Sequence, residues 1–354
     1  MNQWFRQCMH RTKDQHPTPL SMQIVIRSLT FLPKVGGLEN MMHQLAHTWA
    51  QQGHAVTVVT AVTEEAAPQA YTVLRNPTEK KVRQLIRAAD LYLEANISLK
   101  TCFTGLRFRK KWVVSHHLPY YDKGWKKWLK LLLTRWSHNI AVSQYVAHTL
   151  PAPAVVIPNS YDSIFKHLQL PERPYDFIFA GRMVSDKGVD LLITAFIQYH
   201  QNHPHSCLLV VGDGPERAAQ EARITAVGMT AAVTFTGILR GEALVAAYNS
   251  AKIAVIPSRW PEPFGIVALE ALACGCGIVA SNGGGLPEAA GIWGHYFNNG
   301  DVDGLSAALA KAIQQYPTTV AAFPAIQQYL QQHTPEAIAQ QYLQQCRIWN
   351  ILTN

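Results

Sequence analysis

Residues 253–270 read IAVIPSRWPEPFGIVALE, and a second β-branched run follows at residues 278–280. The short apolar run at 253–256 predicts a buried strand, and the segment that begins at Gly265 has the composition of a helix. A strand, a loop, a helix and a strand in this order are typical of a parallel sheet with crossover helices. Gly265 lets the backbone approach a ligand closely, so the N–H groups of Gly265, Ile266 and Val267 can bind phosphate oxygens.

Two carboxylates flank this helix start. Glu262 lies in the loop before it, and Glu270 lies more than one turn into the helix. We therefore expect them to contact different parts of one ligand, such as the sugar and the ribose on either side of the diphosphate of a nucleotide sugar. This interpretation excludes a glycosidase pair, because that chemistry needs both carboxylates about 5 to 10 Å apart around one bond. The alternative is a solvated Glu262 and a structural Glu270.

Two cations follow the strand predicted at residues 177–180. Arg182 comes just after Gly181, and Lys187 lies five residues further on, before a helical pattern at 189–196. Ligands of open α/β sheets bind outside the carboxyl ends of the strands, so both cations are placed to hold a diphosphate. The next predicted strand ends at Gly212, where the backbone can contact a base. A solvated basic loop is the alternative.

A glycine pair opens the first helical pattern of the chain. Gly36 and Gly37 stand between the β-branched run at 24–26 and apolar positions from Leu38 to Trp49 that share one helical face. The glycines permit close approach of a ligand, and a helix N-terminus attracts an anion. The three-glycine dinucleotide fingerprint is absent, and a tight turn without a ligand is the alternative.

The β-branched runs form two series, which a polar, Pro-containing segment at residues 161–174 separates. The first series lies at residues 24–26, 56–60, 91–93, 113–115 and 140–142, and the second at residues 177–180, 208–211, 233–235, 253–256 and 278–280. We predict an α/β fold of two Rossmann-like domains with parallel sheets. Residues 1–21 are interpreted as a tail that is disordered or misassigned, with Met22 as an alternative start. The remaining divisions are an N-terminal domain (22–162), a linker (163–174), a C-terminal domain (175–335) and a C-terminal helix (336–354).

Composition narrows the class of protein. A chain of 354 residues with 48% hydrophobic content can bury two sizeable cores. No run approaches the roughly 18 apolar residues of a spanning helix, and the first 17 residues lack the apolar core of a signal peptide, so we expect a cytoplasmic protein. Six scattered cysteines favour reduced thiols. The net charge of +8 suits an anionic partner, but no nucleic-acid-binding module is recognised, so we expect no nucleic-acid partner.

With these motifs the chain resembles glycosyltransferase family 4, whose members have the GT-B fold of two facing Rossmann-like domains with a donor and acceptor cleft between them. The resemblance spans nearly everything from Gln23 to Trp349, and the E-x7-E spacing of Glu262 and Glu270 is its most specific feature. The chain departs from the family at Ser160, where Gly is usual, and at Gly277, where Pro is usual. The other matching motifs are Gly36-Gly37-Leu-Glu39, Gly53-His54, Ile157-Pro-Asn159, Gly181-Arg182, Lys187-Gly188, Val211-Gly212-Asp-Gly214-Pro, Gly237 and Pro257-Ser258.

The resemblance implies transfer of a hexose with retention of configuration and without a metal or other cofactor. It also implies that residues 22–162 form the acceptor-side domain, that residues 175–335 bind the donor nucleotide, and that the C-terminal helix (336–354) crosses back to the N-terminal domain. It implies that Arg182 and Lys187 bind the donor diphosphate, that Glu262 contacts the transferred sugar, and that Glu270 binds the ribose. The candidate donor-binding residues are Gly36, Gly37, Gly181, Gly212, Phe264, Gly265, Ile266, Val267 and Glu270.

The family also carries a functional histidine at the end of an N-domain strand, where this chain has His116 and His117. We favour His116 by register and keep His117 as the alternative, with contact to the donor sugar near the reacting carbon as the expected role. Asp301-Val-Asp303 has the letters of a metal-binding motif, but it precedes a helical pattern. We therefore interpret Asp303 as a helix cap and expect no metal site.

A basic, Trp-rich segment that ends at Trp136 predicts an amphipathic helix. Its apolar positions share one face, which suits an anionic membrane surface. The segment therefore predicts attachment to the inner face of the plasma membrane, close to a lipid-linked acceptor. Core packing with a solvated basic face is the alternative. The candidate membrane residues are Trp125, Lys126, Lys127, Trp128, Lys130 and Trp136.

The predicted function is hexose transfer from a nucleotide sugar, with UDP favoured over GDP, to a hydroxyl of a lipid-linked or cell-envelope glycan. Two alternatives remain open. A GT-B nucleotide-sugar epimerase would consume UDP-sugar without an acceptor, and a non-catalytic nucleotide-sugar-binding protein would bind the donor without transfer or hydrolysis.

Overall fold

The computed structural model describes residues 21–34, 36–121 and 124–352. The tail predicted at residues 1–21 lies outside the described residues, apart from Ser21. Within the described ranges the strands form one seven-stranded and one six-stranded sheet, and neighbouring strands run parallel. The predicted α/β fold with two Rossmann-like sheets is thereby confirmed.

The N-terminal sheet has the strand order β3-β2-β1-β4-β5-β6-β7. Helices on both faces connect its strands, as the alternation of β-branched and helical patterns predicts. The strands are β1 (Gln23–Ser28), β2 (Ala55–Thr60), β3 (Thr72–Arg75), β4 (Leu91–Ala95), β5 (Trp112–His116), β6 (His138–Ala141) and β7 (Ala154–Val156). The helices are α1 (Gly37–Gln51), α2 (Glu79–Ala88), α3 (Cys102–Arg107), α4 (Trp125–Leu133) and α5 (Gln144–Ala147).

The C-terminal sheet repeats this arrangement in the order β10-β9-β8-β11-β12-β13. Its strands are β8 (Tyr175–Ala180), β9 (Leu208–Val211), β10 (Val233–Gly237), β11 (Ala251–Ile256), β12 (Gly277–Ser281) and β13 (Gly294–Phe297). Its helices are α6 (Val189–Asn202), α7 (Arg217–Ala226), α8 (Glu242–Asn249), α9 (Ile266–Ala273), α10 (Leu286–Ala290), α11 (Val302–Ala321) and α12 (Phe323–Gln331).

The strand order reverses at β1 and β4 in the first sheet and at β8 and β11 in the second. Connections leave in opposite directions on the two sides of such a point, so a crevice opens outside the carboxyl ends of the two strands. The fold thus creates one crevice in each domain.

The last helix, α13 (Pro335–Ile348), packs in the core of the N-terminal domain. Trp49 on α1 donates its indole N–H to the carbonyl oxygen of Ala339 at 3.2 Å. The ring of Tyr342 lies edge-on to Trp49, and both side chains are fully buried. The chain therefore enters the second domain and returns to the first.

Helix α11 begins at a cap two residues before the predicted one. The Asp301 side chain, and not that of Asp303, accepts the N–H of Gly304 at 2.9 Å. The interpretation of Asp303 as the cap is wrong, because Asp301 has the extended backbone that lets a side chain reach the free N–H groups of the first turn. Among the helices in the described part of the chain, none combines the length and apolar character needed to cross a bilayer.

Candidate functional site

A cleft of about 560 Å³ lies between the two sheets. Its walls come from both domains, at the carboxyl ends of β1, β5, β8 and β11. The predicted site residues that line it are Gly37, His117, Gly181, Arg182, Lys187, Glu262, Phe264, Gly265, Ile266 and Val267.

Two helix N-termini face each other across this cleft. Gly37 starts α1 and Gly265 caps α9, and neither helix start has a side-chain cap. A Cβ placed on Gly37 would lie 3.8 Å from Cδ1 of Ile266, so the two starts approach closely. Unpaired N–H groups and the positive ends of two helix dipoles therefore converge on one space, which suits a polyanion.

Gly265 is required at its position for two reasons. Its φ is +106°, a left-handed conformation that L side chains rarely adopt. A Cβ at this position would also come within 2.5 Å of the Leu286 side chain. The glycine thus allows both the turn into α9 and the close packing of α10 behind it.

Lys187 and Glu262 form an ion pair inside the cleft. Lys187 Nζ lies 2.5 Å from Oε1 of Glu262, and the Ser258 hydroxyl donates to the same oxygen at 2.9 Å. Both charged side chains are partly shielded from solvent, whereas Arg182 is exposed at the cleft edge. The arrangement leaves other Nζ protons and the guanidinium of Arg182 for a ligand anion.

The loops that carry these groups are tied together. Arg259 makes a bidentate ion pair with Asp190, with distances of 2.5 and 2.7 Å. Burial alone would raise the pKa of the Asp190 carboxyl, but Arg259 holds it below its usual value. The N–H groups of Arg259 and Trp260 also donate to the carbonyl oxygen of Asp186. The loop after β8 and the loop after β11 therefore form one rigid wall.

Three candidate donor-binding residues lie outside the lining of the cleft. Gly36 precedes α1 in an extended conformation. Gly212 forms the floor beneath Gly181, since a Cβ on it would meet the Gly181 carbonyl oxygen at 1.8 Å. Glu270 is partly buried on α9, where burial and the negative charge of Asp162 raise its pKa to about 7.

The two histidines have different surroundings. His116 is fully buried, and its ring nitrogens contact the Tyr120 hydroxyl at 2.7 Å and Oδ1 of Asn139 at 3.1 Å. Burial lowers its pKa to about 4. His117 lines the cleft, and its Nδ1 is buried without a hydrogen-bond partner. The expectation that His116 faces the cleft is wrong. The side chain of His116, the last residue of β5, points into the domain, and that of His117 faces the cleft.

Within the described residues, six further polar residues line the cleft beside the predicted site residues. Asn159 is almost completely buried, and its Oδ1 has no partner among the described residues. Glu39, Asn159 and Ser258 lie in motifs that carry the family resemblance, so the sequence could have indicated them as site residues. Thr30 lies in no such motif, and nothing in the sequence indicates that it lines the cleft. The additional polar lining residues are Thr30, Glu39, Asn159, Asp186, Ser258 and Trp260.

Sequence comparison identifies the family. A profile described as Glycosyltransferase Family 4 matches residues 35–163, and one described as Glycosyl transferases group 1 matches residues 160–322. The two matches follow each other along the chain and cover both domains. The chain belongs to glycosyltransferase family 4. It is therefore a glycosyltransferase of the GT-B type.

Individual relatives of this glycosyltransferase agree with the assignment. An uncharacterized glycosyltransferase of Methanocaldococcus jannaschii is 40% identical over 121 residues, which are 33% of this chain and 30% of that protein. Glycogen synthase of Mycobacterium tuberculosis is 27% identical over 359 residues, covering 82% of this chain and 86% of the relative. The solved structure of Anabaena HepE in complex with UDP-glucose has a TM-score of 0.73 and 21% identity, covers 92% of this chain and 99% of the other, and shows the same fold.

Proposed function

We propose that this glycosyltransferase transfers a hexose, with retention of configuration, from a nucleotide diphosphate sugar to a hydroxyl group of a lipid-linked or cell-envelope glycan. The observation that carries the proposal is the convergence of Arg182, Lys187 and two helix N-termini on the cleft that also contains Glu262. A diphosphate matches this concentration of positive potential, and the Glu262 carboxylate can accept hydrogen bonds from sugar hydroxyls.

UDP is the favoured nucleotide, and GDP is the second choice. HepE, which has this fold, is described in complex with UDP-glucose. In the proposed complex Arg182 and Lys187 contact the diphosphate, the N–H groups at the start of α9 receive its oxygens, and Glu270 accepts the ribose hydroxyls. Glu270 lies on the same helix as that anion site, one turn further on, so one rigid element would hold both parts of the nucleotide.

The transfer itself needs stabilisation of the leaving group. The bond between the anomeric carbon and the diphosphate oxygen breaks, and the acceptor oxygen forms a bond to that carbon on the same face. The proton of the acceptor hydroxyl passes to the departing diphosphate. Lys187, Arg182 and the α9 N-terminus stabilise the developing charge in place of a divalent cation. Turnover is therefore expected to persist in the presence of a chelator.

Calorimetric titration with a panel of UDP-, GDP- and ADP-sugars tests the donor. We expect a UDP-sugar to bind most tightly, and an Arg182→Ala variant to lose most of that affinity. If a GDP-sugar bound most tightly, the proposed base would be guanine and not uracil. The absence of binding across the panel would overturn the proposal. Consumption of the donor without an acceptor would instead support a nucleotide-sugar epimerase. Binding of the donor without transfer or hydrolysis would support a non-catalytic binding protein.

The location of the acceptor is inferred from α4. Its apolar side faces solvent: Trp125 and Trp128 are 69% and 75% exposed, while Lys127 and Lys130 are half-buried. Only Leu133, at the end of the helix, is buried. Core packing therefore does not explain this apolar face. A basic helix with outward tryptophans matches an anionic bilayer, into which the rings insert while the lysines contact headgroups.

The neighbouring helices extend this surface. Residues of α2, α3 and α4 share one apolar core on the same side of the N-terminal sheet. Phe103 on α3 is 82% exposed beside this layer. The exposed cations of the layer are Lys80, Lys81, Arg83, Arg87, Arg107, Arg109, Lys110, Lys126 and Arg135. Since Leu118, seven residues before α4, lines the cleft, a bilayer against this layer would lie near the cleft mouth.

Vesicle flotation of the full chain tests the membrane proposal. We expect flotation with vesicles that contain phosphatidylglycerol, release at high salt and loss in a Trp125→Ala/Trp128→Ala variant. Ile292→Ala is the matched control, because Ile292 is 87% exposed on the other domain and its loss should change nothing. Equal behaviour with anionic and neutral vesicles would overturn the proposal, as would self-association of the chain through the tryptophan face.

A further inference from the structure

The backbone at His117 is anchored from the neighbouring strand. The His117 N–H donates to Oδ1 of Asn96 at 2.7 Å, and the N–H of Asn96 donates to the carbonyl oxygen of Ser115 at 2.8 Å. Asn96 follows β4 with φ of +57°, a left-handed conformation that asparagine tolerates better than most residues. The ends of β4 and β5 are thus linked at the residue whose ring lines the cleft.

A chain of hydrogen bonds connects the His117 ring to the C-terminal helix. Nε2 of His117 lies 2.8 Å from the Ser115 hydroxyl, and that hydroxyl lies 2.7 Å from the hydroxyl of Tyr342 on α13. Ser115 and Tyr342 are fully buried. Within the described residues, neither hydroxyl has a further hydrogen-bond partner. The other ring nitrogen, Nδ1, is the buried atom without a partner.

The direction of these bonds follows from counting protons. If Ser115 donated to Tyr342, the fully buried Tyr342 O–H would lack an acceptor whether or not the cleft is filled, at a cost of about 1–3 kcal/mol. If Tyr342 donates to Ser115, the donor left over belongs to the His117 ring, which lines the cleft, where a ligand can accept it. We therefore assign Tyr342 as the donor. Ser115 then has one proton left, and His117 Nε2 is the acceptor within reach. Nε2 must therefore carry no proton. Burial and the neighbouring His116 lower the pKa of His117 to about 3, so the ring is neutral and its single proton is on Nδ1.

We propose that Tyr342 and Ser115 are positioning residues that hold His117 in the tautomer with its proton on Nδ1, so that the ring presents an N–H donor to the cleft. The ring then has no free lone pair facing the substrate and acts as a hydrogen-bond donor, not as a general base. That the acceptor atom is a hydroxyl oxygen of the transferred sugar rests on the proposed function. The returning helix α13 thereby contributes to the site through a chain of two hydroxyl groups.

The tautomer can be measured without activity. In long-range ¹H–¹⁵N spectra of the ¹⁵N-histidine-labelled full chain, His117 is identified as the signal missing from a His117→Asn variant. We expect a protonated Nδ1 and a bare Nε2 in the unsubstituted protein, and a mixture of tautomers in Tyr342→Phe. Tyr71→Phe is the matched control, since Tyr71 bonds His43 at 2.6 Å in the same domain, outside the cleft lining. A proton on Nε2 of His117 in the unsubstituted protein would overturn the proposal.

Kinetics give a second test. Tyr342→Phe should lower kcat about threefold to tenfold, the equivalent of one net hydrogen bond, with little change in the affinity for UDP. His117→Asn, whose amide nitrogen occupies the position of Nδ1, should retain more activity than His117→Gln. Tyr342→Phe should add nothing to the loss in Ser115→Ala, because both act through one ring. If the losses of kcat in Tyr342→Phe and Ser115→Ala were additive, or if kcat did not change in Tyr342→Phe, the proposed hydrogen-bond chain from Tyr342 to His117 would be contradicted. If the unsubstituted protein transfers no sugar, the proposed function fails while the spectra still test the tautomer.

Discussion

Lys187 and Glu262 act as a unit at the residue scale. The family resemblance implies a lysine for the diphosphate and a glutamate for the sugar, but neither the resemblance nor the spacing of the motifs predicts that the two side chains touch. The structure places them 2.5 Å apart and gives Glu262 a second donor in Ser258. A carboxylate that is held by two donors has a defined orientation before a ligand arrives, which is the preorganisation that the proposed sugar contact needs.

Removal of Lys187 should therefore have two consequences. Lys187→Ala takes away a cation at the proposed leaving group and releases the Glu262 side chain, so we expect kcat/KM to fall by about 100-fold or more. Glu262→Ala should have a comparable effect. Steady-state kinetics with the preferred donor measures both.

Lys252→Ala is the matched control for Lys187→Ala. Lys252 pairs with Asp176 at 2.7 Å, but both residues lie at the opposite ends of their strands from the cleft. This variant should keep its kcat/KM. Full activity of Lys187→Ala would remove Lys187 from the site.

Glu270 should make stability depend on pH. Its pKa is raised from 4.5 to about 7 in the folded protein. Between these two pH values the folded state binds more protons at this position than the unfolded state, so the free energy of unfolding contributed by Glu270 falls as pH rises. Glu270→Gln removes this dependence. The stability of the variant relative to the unsubstituted protein should increase between about pH 4.5 and pH 7. Above about pH 7 the difference in the free energy of unfolding between the two proteins should stay constant.

The same substitution should weaken UDP binding, because an amide has one acceptor oxygen where the carboxylate has two. Thermal unfolding across pH and calorimetry at pH 8 measure the two effects. If the difference in stability between Glu270→Gln and the unsubstituted protein did not change with pH, Glu270 would not be the titrating group. If the affinity for UDP were unchanged, the proposed contact between Glu270 and the ribose would be contradicted.

At the element scale, the buried strands and the helices that cover them were predictable. The predicted β-branched runs correspond to the strands inside the two sheets and to one edge strand, β10. The interior strands are β1, β2, β4, β5, β6, β8, β9, β11 and β12. β3 and β7 were missed, and both are edge strands whose residues are partly exposed, so their sequences lack a continuous apolar run. β13, at the other edge of the second sheet, was missed for the same reason. Short edge strands form because a neighbour supplies hydrogen bonds, and that neighbour is not visible in the local sequence.

Helix α9 allows a test of its own start. Gly265→Ala combines an unfavourable φ with a contact of 2.5 Å to Leu286. We expect a loss of about 1–3 kcal/mol in the free energy of unfolding and a marked loss of donor affinity, since the N–H groups of the first turn would move. Chemical denaturation and calorimetry measure these two quantities.

Gly241→Ala is the matched control. Gly241 caps α8 in the same domain with φ of +55°, and no atom lies within 4 Å of a Cβ placed there. It should lose stability through the backbone alone and bind the donor normally. Equal donor affinity in the two variants would argue against the anion site at α9.

At the scale of the whole molecule, the two domains are joined by more than the chain connection. The Glu288 carboxylate on α10 accepts the N–H groups of Gln144 and Tyr145 at 2.7 and 3.0 Å, and the Ser143 hydroxyl donates to the carbonyl oxygen of Pro263 at 2.5 Å. Arg173, in the connecting segment, donates to carbonyl oxygens of the second domain. The contacts at the start of α5 hold the loop before α9 and the helix α10 against the N-terminal domain.

Glu288→Ala should loosen this arrangement. Two N–H groups at the start of α5 would lose their carboxylate, which should cost about 1–3 kcal/mol in the free energy of unfolding and open the cleft. Small-angle scattering should show a larger radius of gyration, and the KM for the donor should rise. Glu242→Ala, an exposed acidic residue on α8, is the control. Unchanged scattering and KM would show that the domains are held by other contacts.

The sequence by itself determined the fold class, the order of the elements and the charged residues that surround the proposed diphosphate. These follow from hydrophobic period, glycine position and charge, all of which are local along the chain. Tertiary structure decided which side chains meet. In the folded protein the His116 side chain is buried in the domain core, and the His117 side chain faces the cleft. Lys187 pairs with Glu262, and Tyr342 on the last helix contacts Ser115. Such contacts join residues up to 227 positions apart, and their partners are set by how strands and helices pack.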